Sequence, residues 1–434
     1  MKLVQLTPGA GGMYCGNCFR DNALVAALRR QGHDTLMVPL YLPLTLDEAP
    51  TASTPTFFGG INVYLDQVLP FHRHLPQWFR HWFDAPALLR MASGRAAKTK
   101  AADVGDLTLS MLRGEEGNQS RDLDELVSWL ATQPPPDAVF LSNALLVGLA
   151  RRLKDRLRTR VFVFLQSEET FLDSIPAPAG RDCWKLLAER AADVDGWIAP
   201  TRYFADRMAQ RLDLPSERVR VVPNGISLDG YETLPMRSAK RPGDPLTLGF
   251  FARMCPEKGL DLVVDAFIEL RRRGRVLNLR LKVGGGCGPT DEPYVTEQRE
   301  KLAAAGMAEA ASFHPNVSRE EKIAFYAGCD VLSVPARFSE AFGLYLIESL
   351  AAGTPLVQPD LAGFAEILDD TGGGVICGPN TVDALVGELE PLLLNPVQLH
   401  ELGQGGREAV FGRYADSHMA AGVIRATESL RPFA

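Results

Sequence analysis

Short apolar runs alternate along the chain with longer amphipathic segments, and this alternation occurs twice. The first half opens with the strand-like run Lys2–Thr7, a glycine-rich turn and a helical pattern over about 20–31. The runs Asp137–Leu141 and Val161–Leu165 are apolar at nearly every position, as is typical of parallel strands that are covered on both faces. The alternation restarts at Leu246. This pattern predicts an α/β protein with two doubly wound, Rossmann-like domains that face a central cleft.

The chain is predicted to divide into two domains joined by a linker. Residues 1–228 form the predicted N-terminal domain, in which about 40–125 are less regular and look like an insertion on the sheet. Residues 229–245 are polar, contain proline and lack periodicity, which predicts a linker. Residues 246–410 form the predicted C-terminal domain, and 411–434 a final helix that packs back on the N-terminal domain.

Composition and charge exclude several classes of protein. With 434 residues, 46% hydrophobic and 23% charged, the chain has the composition of a soluble globular protein. A net charge of -7 argues against a nucleic-acid partner, because there is no basic surplus to neutralise a phosphate backbone. We find no apolar run long enough to span a membrane and no signal-peptide pattern. The seven scattered cysteines are typical of a reducing compartment, so we expect a cytoplasmic protein.

A locally basic segment, 71–102, carries aromatic residues at helix-like spacing, among them Trp78 and Trp82. One interpretation is a helix that lies on a membrane surface or contacts a lipid acceptor, which would make the protein peripheral on the membrane. The other is a lid helix that packs its aromatic face on its own domain. We favour the second interpretation, because aromatic stripes usually belong to a core.

Two cysteines, Cys15 and Cys18, follow the first glycine-rich turn at the spacing Cys-x-x-Cys. They are interpreted as a redox pair, as half of a metal site, or as two small thiols that pack a helix start against the sheet. A second Cys/His pair at zinc spacing is missing, so no metal site is predicted. The packing interpretation is favoured.

Charged residues in the second half are placed at predicted strand ends. Arg253 and Lys258 lie five residues apart across a turn, where they are suited to bind one diphosphate. Glu340 and Glu348 flank a predicted helix start over 341–344, whose backbone N–H groups attract anions. An anion site between two carboxylates that can accept hydroxyl hydrogen bonds is suited to a phosphorylated sugar.

Arg253 with Lys258, the Gly284–Gly286 loop, and Glu340 with Glu348 occur in this order along the chain. In this combination they resemble the retaining nucleotide-sugar glycosyltransferases of the GT-B fold, family 4 (glycosyl transferases group 1). Three further segments match the same family: Pro223-Asn224-Gly225, Ala352–Val357 and Gly363–Glu366.

The N-terminal domain also resembles bacterial glycogen synthases, through its early loop and the segment Gly59–Tyr64. Those enzymes carry a lysine before the glycine pair, where this chain has Ala10. This difference argues against a glucan synthase.

The resemblance implies an enzyme that moves a sugar, with retention of configuration, from a nucleoside-diphosphate sugar of the UDP or GDP type. The acceptor would be a hydroxyl group of a glycan, a lipid-linked glycan or a small metabolite. No cofactor or metal is implied. The alternative is a degenerate relative that binds a nucleotide sugar or a glycan without turnover; the intact Arg253, Lys258, Glu340 and Glu348 argue against it.

The resemblance also implies residue roles. Arg253 and Lys258 would hold the diphosphate, Glu340 would grip the sugar, and Glu348 would bind the ribose hydroxyls. The other implied donor-binding residues are Gly11, Gly12, Gly284, Ala341, Phe342, Gly343 and Leu344. The acceptor-side candidates are Gln166, Glu168 and Asn224. Many relatives carry a histidine where this chain has Gln166, whose amide does not carry a proton near neutral pH.

Overall fold

The computed structural model describes residues 1–9, 15–52, 54–68, 105–235, 240–241 and 243–430. The predicted donor residues Gly11 and Gly12 and the aromatic segment 71–102 lie outside the described residues.

The chain forms two compact units. Met1–Pro223 together with Ser417–Ala434 make up the first unit, and Asn224–Asp416 the second. The division at Pro223 comes five residues before the predicted domain end at 228. The described part of the predicted linker, 229–245, belongs to the second unit.

The first unit is built on a six-stranded parallel sheet in the order β2-β1-β3-β4-β5-β6. Its strands are β1 Lys2–Pro8, β2 Asp34–Leu40, β3 Ala138–Leu141, β4 Arg160–Phe164, β5 Gly196–Ala199 and β6 Val219–Val221. Its α-helices up to the unit boundary, among the described residues, are α1 Gly16–Arg30, α2 Gly60–Val68, α3 Gly105–Arg113, α4 Ser120–Leu130, α5 Ala150–Leu157, α6 Glu168–Ser174, α7 Ala179–Arg190 and α8 Arg202–Leu212. Every residue of β3 and β5 is buried, which explains their continuous apolar sequence.

The second unit repeats this plan with the strand order β12-β11-β10-β7-β8-β9, again all parallel. Its strands are β7 Thr247–Phe251, β8 Arg280–Gly285, β9 Ala311–Pro315, β10 Val331–Leu332, β11 Leu356–Pro359 and β12 Gly374–Cys377. Its helices are α9 Leu260–Arg273, α10 Glu292–Ala304, α11 Arg319–Ala327, α12 Leu344–Ala351, α13 Gly363–Thr371, α14 Val382–Leu393 and α15 Pro396–Arg413. The order reverses at β7, so the carboxyl ends of β7, β8 and β10 meet beside this switch point, where open α/β sheets bind their ligands.

The last helix, α16 (Asp416–Ser429), closes the core of the first unit. Its residues Val423 and Met419 are buried in the cluster that contains Phe162 of β4. The fit is close, because a Cβ added at Gly196 would lie 2.4 Å from Leu430 Cδ1.

The two chain segments at the unit boundary are bonded to each other through their backbones. The N–H of Ile226 donates to the carbonyl of Tyr414 at 3.0 Å, and the N–H of Asp416 donates to the carbonyl of Ile226 at 2.8 Å. The chain therefore leaves the first unit and returns to it at one place.

The structure corrects two predicted elements. The apolar run Val331–Val334 predicts a strand, which is shorter in the structure. β10 ends at Leu332, and the N–H of Val334 donates to the side chain of Gln358 in β11 instead of to a backbone carbonyl. The first helix begins at Gly16 rather than near Arg20, with Cys15 as its N-cap. Across the described part of the chain, no helix combines the length and apolar character needed to cross a membrane.

Candidate active site

The carboxyl ends of β7, β8 and β10 carry the residues predicted to bind the donor. Arg253 follows β7, Gly284 lies in β8, and Glu340 follows β10. The backbone of Met254 donates to the carbonyl of Gly286 at 2.8 Å, which ties the loop after β7 to the loop after β8. Gly284 is a packing position, since a Cβ there would lie 2.6 Å from the ring of Phe251.

Lys258 and Glu340 are brought into direct contact. The ammonium nitrogen of Lys258 lies 2.9 Å and 2.8 Å from the two carboxylate oxygens of Glu340. The hydroxyl of Tyr345 donates to the same carboxylate at 2.7 Å, and the ring of Phe338 lies 4.6 Å from the ammonium. Burial, followed by the charge of Glu340, raises the pKa of Tyr345 well above its ordinary value, so this hydroxyl remains a donor. We call these residues, Lys258, Glu340 and Tyr345, the lysine cluster.

Arg253 has a different carboxylate partner, Asp291. Its Nη2 and Nε atoms lie 2.9 Å and 3.1 Å from the Asp291 oxygens, which is a two-pronged contact. The hydrogen bonds to Asp291 raise the pKa of Arg253. Asp291 is buried and also accepts from the N–H of Gly288 at 3.0 Å, whereas half of the Arg253 side chain is exposed. Asp291 therefore fixes the guanidinium while leaving part of it open to a ligand.

Glu348, on α12, is held by two residues of α11. The ammonium of Lys322 lies 2.6 Å from one carboxylate oxygen, and the hydroxyl of Tyr326 donates to the other at 2.9 Å. Glu340 and Glu348 thus occupy separate ion pairs. Each carboxylate keeps lone pairs with which to accept hydroxyl hydrogen bonds.

The first turn of α12 begins between the two carboxylates. Gly343 is its N-cap with φ of 86°, a left-handed conformation that favours glycine. Among the described residues no side chain caps this turn. The start of α12, with Ala341, Phe342 and Leu344 around Gly343, therefore presents backbone N–H groups of the kind that attract anions.

Arg337 fastens the turn that carries Lys258. Its guanidinium donates to the Pro256 carbonyl at 2.6 Å and contacts both oxygens of Asp261 at 2.7 Å and 2.6 Å. The N–H of Arg337 also donates to the carbonyl of Glu257 at 2.8 Å. These contacts join the segment before Glu340 to both ends of the Lys258 turn, so Arg337 sets the distance between Lys258 and Glu340.

The acceptor-side candidates are placed differently from one another. Both carboxylate oxygens of the buried Glu168 accept backbone N–H groups at 2.8 Å, one from Ala144 and one from Gln166. Glu168 therefore joins the loops after β3 and β4, and burial raises its pKa. In the described part of the chain, the buried Nε2 of Gln166 has no hydrogen-bond partner. Asn224 is buried and belongs to the second unit, not to the N-terminal domain as predicted.

Sequence reasoning missed four residues that support the predicted ones. They are Asp291, Lys322, Arg337 and Tyr345. Tyr345 could have been found, because it directly follows the predicted helix start over 341–344. Asp291 and Arg337 act across 38 and 76 residues of sequence, and nothing local identifies them. Of the residues that the structure describes, no three His, Cys, Asp or Glu side chains are grouped so as to hold a metal ion.

Two family models match the chain. The model described as Glycosyltransferase Family 4 matches residues 110–229, and the model described as Glycosyl transferases group 1 matches residues 234–409. Together the two matches cover more than half of the 434 residues. The chain belongs to the family 4, group 1 glycosyltransferases.

Curated relatives of this glycosyltransferase are about 30% identical to it. The D-inositol 3-phosphate glycosyltransferase of Streptomyces bingchenggensis is 31% identical over 53% of this chain and 51% of its own. The GDP-mannose-dependent alpha-(1-6)-phosphatidylinositol monomannoside mannosyltransferase of Mycolicibacterium smegmatis is 28% identical over 61% of this chain and 68% of its own. The match spans about half the length of the D-inositol 3-phosphate relatives.

Solved structures show that the fold of this glycosyltransferase is GT-B. Sucrose-phosphate synthase from Thermosynechococcus elongatus has a TM-score of 0.71 at 16% identity, over 99% of both chains. Anabaena HepE in complex with UDP has a TM-score of 0.66 at 15% identity, over 99% of this chain and 100% of its own.

Proposed function

We propose that this glycosyltransferase is a retaining enzyme that transfers a hexose from a UDP- or GDP-sugar to a hydroxyl group of its acceptor. Its curated relatives include an enzyme named as GDP-mannose-dependent, and HepE has been solved with UDP and with UDP-glucose. Relatives named for inositol phosphate and phosphatidylinositol mannoside support a hydroxyl-bearing acceptor. The acceptor class remains a glycan, a lipid-linked glycan or a small metabolite.

The observation that carries this proposal is the lysine cluster beside the uncapped start of α12. Breaking the bond between the sugar and the diphosphate places negative charge on the departing diphosphate. Lys258, Arg253 and the N–H groups of α12 can stabilise that charge, since fixed donors aimed at developing charge lower the barrier. Glu340 is then left to accept hydrogen bonds from the sugar hydroxyls, and Glu348 from the ribose.

Each proposed donor-binding cation is already paired with a carboxylate, so the diphosphate must share it. Lys258 has three N–H donors, and its two bonds to Glu340 leave one for a phosphate oxygen. Arg253 contacts Asp291 through Nε and Nη2, and its guanidinium carries five N–H donors in all. The diphosphate can therefore bind without breaking either ion pair.

Retention follows from the proposed route of the acceptor proton. None of the three acceptor-side candidates is suited to be a base. Gln166 and Asn224 are amides, and both oxygens of Glu168 accept backbone N–H groups. We propose that the acceptor attacks from the face of the leaving group and that the diphosphate oxygen takes its proton. The transfer needs neither a metal nor a cofactor, and the protein acts in the cytoplasm.

Incubation of the pure protein with UDP- and GDP-sugars tests the proposal. We expect slow hydrolysis of one donor in the absence of an acceptor, with release of a sugar of unchanged anomeric configuration, measured by NMR. Addition of chelator should leave the rate unchanged. Tight donor binding without hydrolysis of any donor would favour the degenerate relative instead, and an inverted product would contradict retention.

A further inference from the structure

The pair Cys15 and Cys18 lies at the start of α1 and is not used by the proposed transfer. Cys15 is the N-cap of this helix, and Cys18 lies three residues further on, in its first turn. Cys18 is fully buried and its thiol donates to the carbonyl of Pro8, the last residue of β1, at 3.3 Å. Cys15 is partly exposed. The packing interpretation explains Cys18, but it does not explain a second cysteine that is partly exposed.

The environment of Cys15 favours its thiolate. The single S–H of Cys18 can donate either to Pro8 or to the sulfur of Cys15. Its contact with Cys15, opposed by burial, lowers the pKa of Cys15 to about 7. A thiolate at a helix N-terminus is also favoured by the aligned backbone N–H groups. The first turn of α1, all of which is described, carries no acidic residue. Two charged groups face the pair. The carboxylate of Asp21 raises the pKa of Cys15, and the buried guanidinium of Arg20 interacts with both cysteines and with Glu168.

Other cysteines of the chain have the opposite character. Burial raises the pKa of the thiols of Cys183, Cys255 and Cys377 to about 11. Cys287 is partly exposed like Cys15, but burial and the nearby Asp291 raise its pKa. Partial exposure and a lowered pKa therefore occur together at Cys15 and at none of these four.

We propose that Cys15 and Cys18 form a reversible dithiol–disulfide couple that reacts with low-molecular-weight disulfides. The Cys15 thiolate attacks one sulfur of the small disulfide and releases one thiolate, which leaves a mixed disulfide on Cys15. Cys18 then loses its proton to the released thiolate and attacks the Cys15 sulfur, which displaces the second thiolate. The two protein thiols are oxidised to one disulfide, and the small disulfide is reduced to two thiols.

The proposed disulfide would change the contact between β1 and α1. An oxidised Cys18 has no S–H, so it loses its hydrogen bond to the Pro8 carbonyl. The hydrogen bond at the carboxyl end of β1 would therefore be present in the reduced protein and absent in the oxidised protein.

Tryptic digestion provides a direct test in the full-length chain. The peptide between Lys2 and Arg20 contains both cysteines of the pair and no other. The reduced protein is equilibrated with mixtures of reduced and oxidised glutathione, alkylated and digested. We expect this peptide to appear without alkyl groups and lighter by two hydrogen atoms, and dithiothreitol to reverse the change. A peptide that stays doubly alkylated in pure oxidised glutathione would overturn the proposal.

Single-cysteine variants test the order of events. In Cys18→Ser, whose serine keeps a hydrogen-bond donor, Cys15 should accumulate a mixed disulfide with glutathione. Cys287, which occupies its own tryptic peptide between Lys282 and Arg299, is the internal control. Because the pKa of Cys15 is lowered and that of Cys287 is raised, Cys15 should react about tenfold faster than Cys287 near pH 7.

Equal rates for the two residues would contradict the assignment of Cys15 as the attacking thiol. In Cys15→Ser the buried Cys18 should stay unmodified in the folded protein, and rapid modification of Cys18 would contradict its role as the second thiol. None of these readouts requires transfer activity.

Discussion

At the scale of single residues, the candidate active site is a set of carboxylate–cation pairs. Asp291, Glu340 and Glu348 are all largely buried, and each contacts one cation. Removal of one partner of a buried pair leaves the other charge uncompensated, which is costly in itself. A single substitution therefore has two effects, because it removes a catalytic contact and also leaves an unpaired buried charge. A double variant that removes both charges separates these two effects.

Lys258→Ala is expected to lower turnover by about two to three orders of magnitude, because Lys258 faces charge that develops on the diphosphate. The measurement is the rate of donor hydrolysis or transfer. The double variant Lys258→Ala/Glu340→Gln removes the stranded carboxylate charge, and we expect its turnover to stay low. Recovery in the double variant would mean that Lys258 serves only to neutralise Glu340.

At the scale of elements, the site depends on how loops are fastened at strand ends. The turn that carries Lys258 contains Gly259 at φ of 74°, and a Cβ there would lie 2.1 Å from the Pro335 carbonyl. Arg337 holds the same turn from the loop after β10. The close approach of Gly259 to the Pro335 carbonyl and the contacts of Arg337 thus both position Lys258.

Arg337→Ala should lower kcat/KM for the donor by about ten- to hundredfold, because Lys258 loses its fixed position. Arg337→Lys restores the charge without the two-pronged contact and should recover part of the loss. Steady-state kinetics and donor binding by calorimetry measure the effect. Arg413→Ala is the control, because Arg413 is an exposed arginine paired with Asp370. It should leave the kinetics and donor binding unchanged. Full activity of Arg337→Ala would refute the positioning role.

Helices α6 and α8 share two ion pairs one turn apart. Glu169 contacts Arg207 at 3.4 Å, and Asp173 contacts Arg211. Glu169 is buried, and among the described residues neither of its oxygens has a hydrogen-bond partner. Burial raises the pKa of Glu169 from 4.5 to about 7. The nearby charge of Arg207 lowers this pKa, but by less than burial raises it.

The stability of the protein should therefore fall as the pH rises from 4.5 to 7. In this window the folded chain keeps the Glu169 proton and the unfolded chain has lost it, so the loss amounts to about 3 kcal/mol. Glu169→Gln should remove this part of the pH dependence and be the more stable protein above pH 7. Urea unfolding at pH 5 and pH 7.5 measures both proteins.

Glu189→Gln is the matched control for that experiment, since Glu189 and Lys185 form an exposed pair that contributes little. It should retain the pH dependence of the parent protein. A Glu169→Gln variant with an unchanged pH dependence would show that Glu169 is already ionised in the folded chain at pH 5.

Sequence patterns predicted most helices and strands. The helices that were predicted most closely share a physical feature. Helical patterns over about 202–212 and over 319–327 predict α8 and α11 with the bounds that the structure gives them. Each helix follows a hydroxyl N-cap, Thr201 or Ser318. Helices α6 and α7 were not predicted. Their polar and apolar residues are mixed, and Ser167, before α6, has φ of 63°, a backbone conformation that no local pattern announces.

The site was predictable only in part. The positions of Lys258 and Glu340 after strands, and of Glu348 in the helix that follows Glu340, were expected from motif and alternation. Their partners did not, because contacts such as Arg337 with Asp261 depend on tertiary structure.

At the scale of the whole molecule, the final helix α16 belongs to the unit that begins the chain. Val423 is fully buried in the core of that unit, whereas Arg425, on the same helix, is exposed. All five tryptophans lie before the unit boundary at Pro223, so tryptophan fluorescence reports the unfolding of the first unit alone.

Val423→Asp should destabilise the first unit by at least about 3 kcal/mol, because it buries an unpaired carboxylate. Urea unfolding followed by tryptophan fluorescence measures the change. Arg425→Asp introduces the same side chain on the exposed face and should alter stability by less than about 0.5 kcal/mol. Equal effects of the two substitutions would mean that α16 does not close this core.

The return of α16 also determines when the first unit can be completed during synthesis. A ribosome makes β1 to β6 first, then all of residues 224–416, and only afterwards the helix that covers Phe162 and Val222. Throughout that interval the nascent chain carries an uncovered apolar sheet face, the kind of surface that chaperones bind. The unit that is translated first is therefore the last to finish folding.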